Sequence, residues 1–487
     1  MRNQRLLFIQ CAAILGAVLT VGPTTAATPA GTLYAIKGAR VFTATGPPIA
    51  GGTILVRNGV IEDVGAAVTV PPDAVTIDGA GLNVYPGLID MANDAPLAGG
   101  APDAAAGASG RGGGGGGGRG GGAAPGSFEQ AQREKRAAIL RPDYLAAEHL
   151  ELGAAALQQL ANAGVTTVLA VPSTGIFKGQ SALVNVVIPP DDPQISTIAD
   201  YRRGIAVVKS PVATHVNMAG RGGGQGYPGA LLGTIAFTKQ GLADAQWQRD
   251  AEAQYQRAGA KGPRPVTEPA LDALEPALAR QIPTAFDAGE AREIDRALAI
   301  AAEFGLDPIV VGAAGAGERT AELAAAKARV ILSINFPSGR GGGAGAAGGG
   351  FGGRGGGAGP SLRQMKAQAD APKVPAILAK ANIAFAFTSG GSSAEDFVRN
   401  AGRAVRDGGL SADAALRALT IDAARLAGAA DRLGSIEKGK IANLVVTDGD
   451  LFDNGRVRHV FIDGRPVDLA EAPAQGQTGR GRGGQRY

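Results

Sequence analysis

The hydrophobic pattern changes character along the chain. Its first part is strand-like: Leu33 to Phe42 is one apolar-rich run, Gly52 to Gly65 holds two more around Asn58-Gly59, and Val75 to Asp78 is another. Asn-Gly between two such runs predicts a hairpin, because a type I′ turn needs positive φ at both central residues. A few short strands bury little by themselves, so this region needs partners. Leu433–Gly449 and Val457–Gly464, near the other end, are also strand-like and are the expected partners.

Between these ends the period lengthens. Leu145, Leu152, Leu157 and Leu160 predict a helix over Asp143–Ala163, followed at once by a strand over Val165–Val171. Ile294, Leu298, Ala301 and Ala302 predict a helix within residues 287–304, ahead of a strand at Pro308–Val311. A helix over Glu318–Ala328 precedes strand Val330–Ile334, and a helix over Pro372–Ala381 precedes strand Ile383–Thr388. Helices Ala394–Gly408 and Ser411–Leu419 close the region, with Ser411 as an N-cap. Such alternation predicts an α/β fold with a parallel sheet. The loops that follow the strands would then carry any active site.

Composition changes this picture in three places. Gly is 77 of 487 residues, and the excess sits in tracts at 107–126, 339–359 and 471–487. Gly, Ala and Arg cannot bury enough apolar area to offset chain entropy, so all three tracts are expected to be disordered. They have almost no aromatic residues for base stacking, and the net charge is only +4, so no nucleic-acid partner is expected. Residues 1–27 read as a signal peptide, with Arg2 and Arg5 before an apolar stretch from Leu6 to Val21 and small residues at Thr25-Ala26-Ala27. That predicts a periplasmic or secreted protein with no stable membrane span after cleavage. The single cysteine, Cys11, lies inside this segment. The mature chain would have no disulfide, cysteine metal site or thiol nucleophile.

Asn83-Val84-Tyr85-Pro86-Gly87-Leu88-Ile89-Asp90, at the junction of the two regions, resembles the first barrel strand of the metal-dependent amidohydrolase superfamily. The run Gly434 to Val446 and then Val457 to Val467 resembles the closing segment of the same superfamily. Gly164 to Val168 and Ala423 to Gly428 are similar to its imidazolonepropionase-like group. The resemblance implies a TIM-like (β/α)8 barrel plus a small β-sandwich built from N- and C-terminal strands. On that division residues 28–86 and 433–470 make the sandwich and 87–432 the barrel, with the first two Gly/Arg tracts as insertions. The implied activity is hydrolysis of non-peptide C–N bonds by metal-activated water. The superfamily's ligands are a His-x-His on strand one, a carboxylate or modified lysine on strand four, one His each on strands five and six, and an Asp on strand eight.

Against that pattern the ligand positions are altered. Ala92 and Asp94 stand for the first pair, Asp287 for the strand-five histidine, and the strand-six segment Ile309–Ala314 has no histidine. Ser389 or Gly390 falls where the strand-eight Asp belongs. Ala92, Gly312 and Gly390 have no side-chain donor. Asp94 and Asp287 would hold a hard divalent cation such as Mg²⁺ or Ca²⁺ only if they form a site together. Of the three histidines, His215 is the candidate site residue. His149 lies on the predicted 143–163 helix and His459 on a late strand. Ser389 is a candidate hydroxyl near a helix N-terminus, although Ser389–Ser393 also suits N-capping of the helix beginning near Ala394. Gly315 and Gly317 follow a strand and open a helix, a place for a small anion.

Three readings follow. The first is an exported amidohydrolase-fold pseudoenzyme that binds a ligand or partner, either an active relative or a second copy. The second is an active C–N hydrolase with an atypical site. The third is a surface-binding protein that uses its Gly/Arg tracts.

Overall fold

The computed structural model describes residues 33–97, 128–151, 155–186, 207–218, 228–336, 361–453 and 455–469. The predicted signal segment and all three Gly/Arg tracts lie outside the described residues.

The N-terminal strands are β1 (Leu33–Val41), β2 (Ile49–Arg57), β3 (Val60–Gly65), β4 (Val75–Asp78) and β5 (Asn83–Pro86). The turn between β2 and β3 has Asn58 and Gly59 at φ of 52° and 84°, as the Asn-Gly pair predicts. Barrel strands follow: β6 (Leu88–Asn93), β7 (Val165–Ala170), β8 (Phe177–Gln180), β9 (Ala182–Asn185), β10 (Val207–Lys209) and β11 (Thr214–Asn217). Then come β12 (Thr284–Ala288), β13 (Pro308–Gly312), β14 (Arg329–Ser333) and β15 (Phe385–Thr388). The last strands are β16 (Leu444–Asp448), β17 (Arg456–Ile462) and β18 (Arg465–Val467).

Strands from the two chain ends pair directly, β16 lying antiparallel to β5 with Val446 opposite Val84. They form one hydrogen-bonded sheet in the order β18-β17-β16-β5-β1-β2-β3, with β4 beside β1. Its far edge curls back to the residues before β16, where Ile61 N–H donates to Lys440 O and Gly439 N–H to Ile61 O, both at 2.8 Å. Ile36, Val41, Ile54, Ile61, Val84, Leu444 and Phe461 fill the curl. The segment assigned to a sandwich is therefore continuous in its hydrogen bonding, as a strongly twisted sheet permits.

The remaining strands form two sheets, β10-β9-β7-β6 and β15-β14-β13-β12-β11-β8. From β11 to β15 all pairings are parallel. Alternation puts Ile89, Met91, Leu169, Leu183, Ala285, Ile309, Ile331 and Ala386 into one shared inner core. Neighbours such as Val168, Phe286, Val310, Val330 and Phe387 face outward onto helices. The extended run 177–185 belongs to both sheets: β8 pairs antiparallel with β11 and β9 antiparallel with β7. At the opposite seam, β6 and β15 are joined by Thr388 Oγ1 donating to Ala92 O at 2.8 Å and Ser389 N–H donating to the Asp90 carboxylate at 3.0 Å.

Two expectations are corrected. The predicted Asp143–Ala163 helix is only a 3-10 turn at Ala146–Glu148 and a helix at Ala155–Asn162. Its first part is irregular, because Leu145 bridges Gln180 and Leu150 bridges Leu97, as Leu140 just before it bridges Phe177. Strand pairing and leucine burial there outweigh helix propensity. The sheet is also mixed rather than wholly parallel, owing to β8, β9 and β10. Helix Leu231–Arg257 had no clear periodic signal; Thr234, Thr238, Gly241, Leu242, Ala245 and Gln248 form its buried side. Ser393 and Ser411 both cap helices, accepting from the backbone N–H of Asp396 and Ala414. No helix among the described residues is long and apolar enough to cross a membrane.

A polar network ties the curled sheet to the barrel. Asn443 Nδ2 donates to Asn185 Oδ1 at 2.9 Å and to Thr167 Oγ1 at 3.1 Å, and Asn185 Nδ2 donates to Asp463 Oδ1 at 2.8 Å. Burial pushes the Asp463 carboxyl up to about 6, against the downward pull of the Asn185 hydrogen bond, Arg465 and Arg432. The folded state thus holds this proton more tightly than the unfolded chain. The contribution is fully present below the ordinary carboxylate pKa and is lost as pH rises through about 6. Relative to Asp463→Asn, wild-type protein should lose up to about 3 kcal/mol of stability across that window. Urea unfolding of both proteins from pH 4 to pH 7 measures it, and parallel pH profiles would count against a titrating Asp463.

Candidate functional site

The ends of the inner strands carry most of the residues singled out from the sequence, and they fall into two separate groups. Asp94 directly follows β6 and is exposed. It lines a cavity of about 220 Å³ with Ala92, Asn93, Gln159, Ser389 and Ser392. Ser389 is buried and its amide is held by Asp90, while Ser392 Oγ donates to Ser389 O at 2.8 Å. Ser393 caps helix Ala394–Arg406. The segment is therefore mainly a turn and a cap, with Ser389 at the cavity wall. Gly390 has φ of 57°, and a Cβ there would overlap the Ser333 hydroxyl. Packing excludes any side-chain ligand at that position. A larger cavity of about 380 Å³ lies elsewhere, between Phe42–Pro48 and Asp413, Leu416 and Arg417.

The second group is Asp287, His215 and a residue missed in the sequence, Lys178. His215 sits opposite Ala285 in the β11/β12 register, and Ala285 belongs to the inner core. By strand alternation Asp287 shares that face. Between His215↔Gly179 and Val216↔Phe177 the β8/β11 register shifts, leaving Lys178 as the extra residue. Such a bulge re-aims its side chain, and Lys178 Nζ meets Asp287 Oδ2 at 2.8 Å. Gly179 takes φ of 120° beside it. A lysine followed by glycine in the otherwise apolar run Ile176-Phe177 was the available signal.

His215 is fully buried, and neither ring nitrogen has a hydrogen-bond partner among the described residues. Burial first, and then the nearby Lys178 ammonium, push its pKa down to about 3, with Asp287 opposing. The ring is therefore neutral at ordinary pH.

The other candidates are accounted for locally. Gly315 N–H donates to Gly289 O at 2.8 Å, and a Cβ at Gly315 would collide with Ala291 and Glu290. The helix expected there is a three-residue 3-10 turn, Ala316–Glu318, including Gly317, and then a short helix Thr320–Ala325. Gly315 serves close packing, and the turn is too short to make a helix-end anion site. His149, not on a helix, stacks on Tyr144 with ring centroids 4.1 Å apart. His459 lies on β17 in the curled sheet.

These residues do not suit the metal that the resemblance implies. Asp94 and Asp287 sit in different groups, and the carboxylate of Asp287 already has an ammonium partner. No three metal-ligating side chains cluster among the described residues.

Comparison with known proteins gives a consistent setting. Residues 362–467 match the model of the amidohydrolase family. No curated protein matches the sequence. Among solved structures, the chain is similar to an amidohydrolase from Thermotoga maritima MSB8, with a TM-score of 0.67 and 22% identity over 89% of this chain and 99% of that one. It is also similar to phenylurea hydrolase B, with a TM-score of 0.50 and 18% identity over 90% and 97% of the two chains. At these identities the likeness concerns the fold, a TIM-like barrel.

The buried imidazole yields a prediction. His215 ring resonances should stay fixed between about pH 8 and pH 4 in NMR titration. The unfolded chain takes up the proton that the buried ring refuses, so stability relative to His215→Leu should fall as pH drops from 6.5 toward 3. The limiting slope is about 1.4 kcal/mol per pH unit. Titration of the ring near its ordinary value would show that it is not enclosed as described.

Proposed function

We propose, for a chain whose C-terminal sequence and fold are those of the amidohydrolase superfamily, that it is a hydrolase-fold protein which assembles no metal centre and serves as a non-catalytic binding or partner subunit. The observation that carries this reading is the Lys178–Asp287 ion pair at 2.8 Å. The best remaining ligand position is neutralised from within the chain, and a metal ion there would have to displace an ammonium held in a low-dielectric interior. Ala92 and Gly390 add no donor, and Asp94 faces another cavity.

The finer architecture belongs to this proposal: a barrel closed at both seams, residues 28–86 and 433–470 acting as a composite β-sandwich domain, and 87–432 as the barrel domain. So does the setting, a periplasmic or secreted protein after removal of residues 1–27. A partner would dock on the helical flank, either an active relative or a second copy. Helix Leu231–Arg257, where Leu232 and Trp247 are exposed, would be part of that flank.

Elemental analysis tests the central claim, after loading the purified protein separately with Zn²⁺, Mn²⁺, Mg²⁺ and Ca²⁺ and then dialysing it. Metal content should stay at background, and a panel of amides and ureas should show no turnover. One or two bound equivalents, lost in Asp94→Ala and Asp287→Ala, would overturn the reading. Turnover that persists in chelator would replace it with a metal-free C–N hydrolase.

A further inference from the structure

The inner face of the β8–β11–β12 region contains an anion, a cation and a neutral nitrogen base in one place. Asp287 supplies the carboxylate, His215 the imidazole and Lys178 the ammonium. The imidazole is enclosed yet has both nitrogens unpartnered among the described residues, which a folded protein ordinarily avoids. The ammonium is held at 2.8 Å from the carboxylate by a bulge that exists at this one point of β8. Asp287 and the ring of His215 share the inner face of adjacent strands. A carboxylate and an imidazole on neighbouring strands are the donor types that bind zinc or cobalt.

We infer that Lys178 is the resident cation of this barrel: its ammonium stands beside Asp287 and His215 and blocks a divalent-cation site that those two side chains would otherwise open. This rests on the reading of the barrel as lacking a metal centre, and goes beyond it by naming the group responsible and the two latent ligands. An ammonium repels an incoming divalent ion and satisfies the carboxylate. With its Nζ paired to Asp287, both imidazole nitrogens stay without a hydrogen bond among the described residues. A neutral imidazole so placed keeps one free lone pair, the group that a divalent metal binds. A fixed lysine also makes the fold indifferent to metal supply, since the charge balance of the interior is built into the chain.

The test compares wild-type protein, Lys178→Ala, Lys178→Ala/His215→Ala and Lys178→Met/Asp287→Asn, each as the purified full chain. Cobalt(II) is the probe, read by its visible ligand-field bands, by elemental analysis and by melting temperature. Wild-type protein should take up none and melt at the same temperature with and without chelator. Lys178→Ala should take up about one equivalent and melt higher with cobalt than without, and adding His215→Ala should abolish both effects. Lys178→Met/Asp287→Asn, which removes both charges together, should melt near wild type and bind no cobalt. If Lys178→Ala fails to fold alone, refolding in cobalt should recover it. A folded Lys178→Ala protein without cobalt uptake, or one that cobalt cannot rescue, overturns this inference and leaves the proposed function standing. A double variant as unstable as Lys178→Ala overturns it as well, since packing rather than charge would then explain the lysine. Cobalt bound by wild-type protein at His215 and Asp287 would bring down both.

Discussion

Asp90 has no contact with water, and three N–H donors converge on it. Ser389 N–H and Asn93 Nδ2 approach its oxygens at 3.0 and 2.8 Å, and Ala92 N–H lies at 3.5 Å. Hydrogen bonds to a carboxylate are among the stronger ones available to a protein. Here they fasten the end of β6 to the end of β15, the first inner strand to the last. Together with the Thr388 Oγ1 bond to Ala92 O, they join the two sheets on the side opposite the run 177–185. The position of Asp94, the wall of its cavity and the turn at Ser389 all follow from where Asp90 holds these ends.

The opposite wall is organised by charge neutralisation. A carboxylate half-buried on β12 needs a partner, and the bulge on β8 supplies one. The two walls explain why the candidate residues divide as they do. One side presents an exposed carboxylate beside hydroxyls that are used in turns and caps. The other encloses an ion pair and a neutral imidazole. Residues that a linear motif places in one site are separated because each belongs to a different stabilising arrangement.

Much of this was legible in the sequence because it depended on local chemistry. Asn58-Gly59 specified its turn, Ser411 its cap, and the runs ending at Asp78, Val311 and Thr388 their strands. The pairing of the two chain ends came from a resemblance rather than from periodicity. What stayed hidden was non-local. The leucines from Leu145 to Leu160 have a helical spacing, yet pairing with Gln180 draws the first of them into extended backbone. Helix Leu231–Arg257 buries threonine, glycine and glutamine, a face that hydrophobic periodicity does not detect. Lys178 had only the glycine after it and the apolar pair before it as a cue, and it is the register with β11 that shows it turning inward. The candidate site was thus half-legible, its altered ligand positions evident and its neutralising lysine not.

The composite sheet has an effect on how the molecule comes into being. β5 must hydrogen-bond to β16, and more than three hundred residues separate them in the chain. Until the last strands are available, one edge of β5 has no mate, and its backbone donors and acceptors face solvent or any passing strand. Contacts of such long sequence separation slow folding, because loop-closure entropy must be overcome before they form. The β5–β16 junction therefore waits on the last strands, whereas β1 to β5 pair with near neighbours in the chain. A chain that stops before Leu444 lacks β16 to β18 and leaves that edge of β5 without its partner.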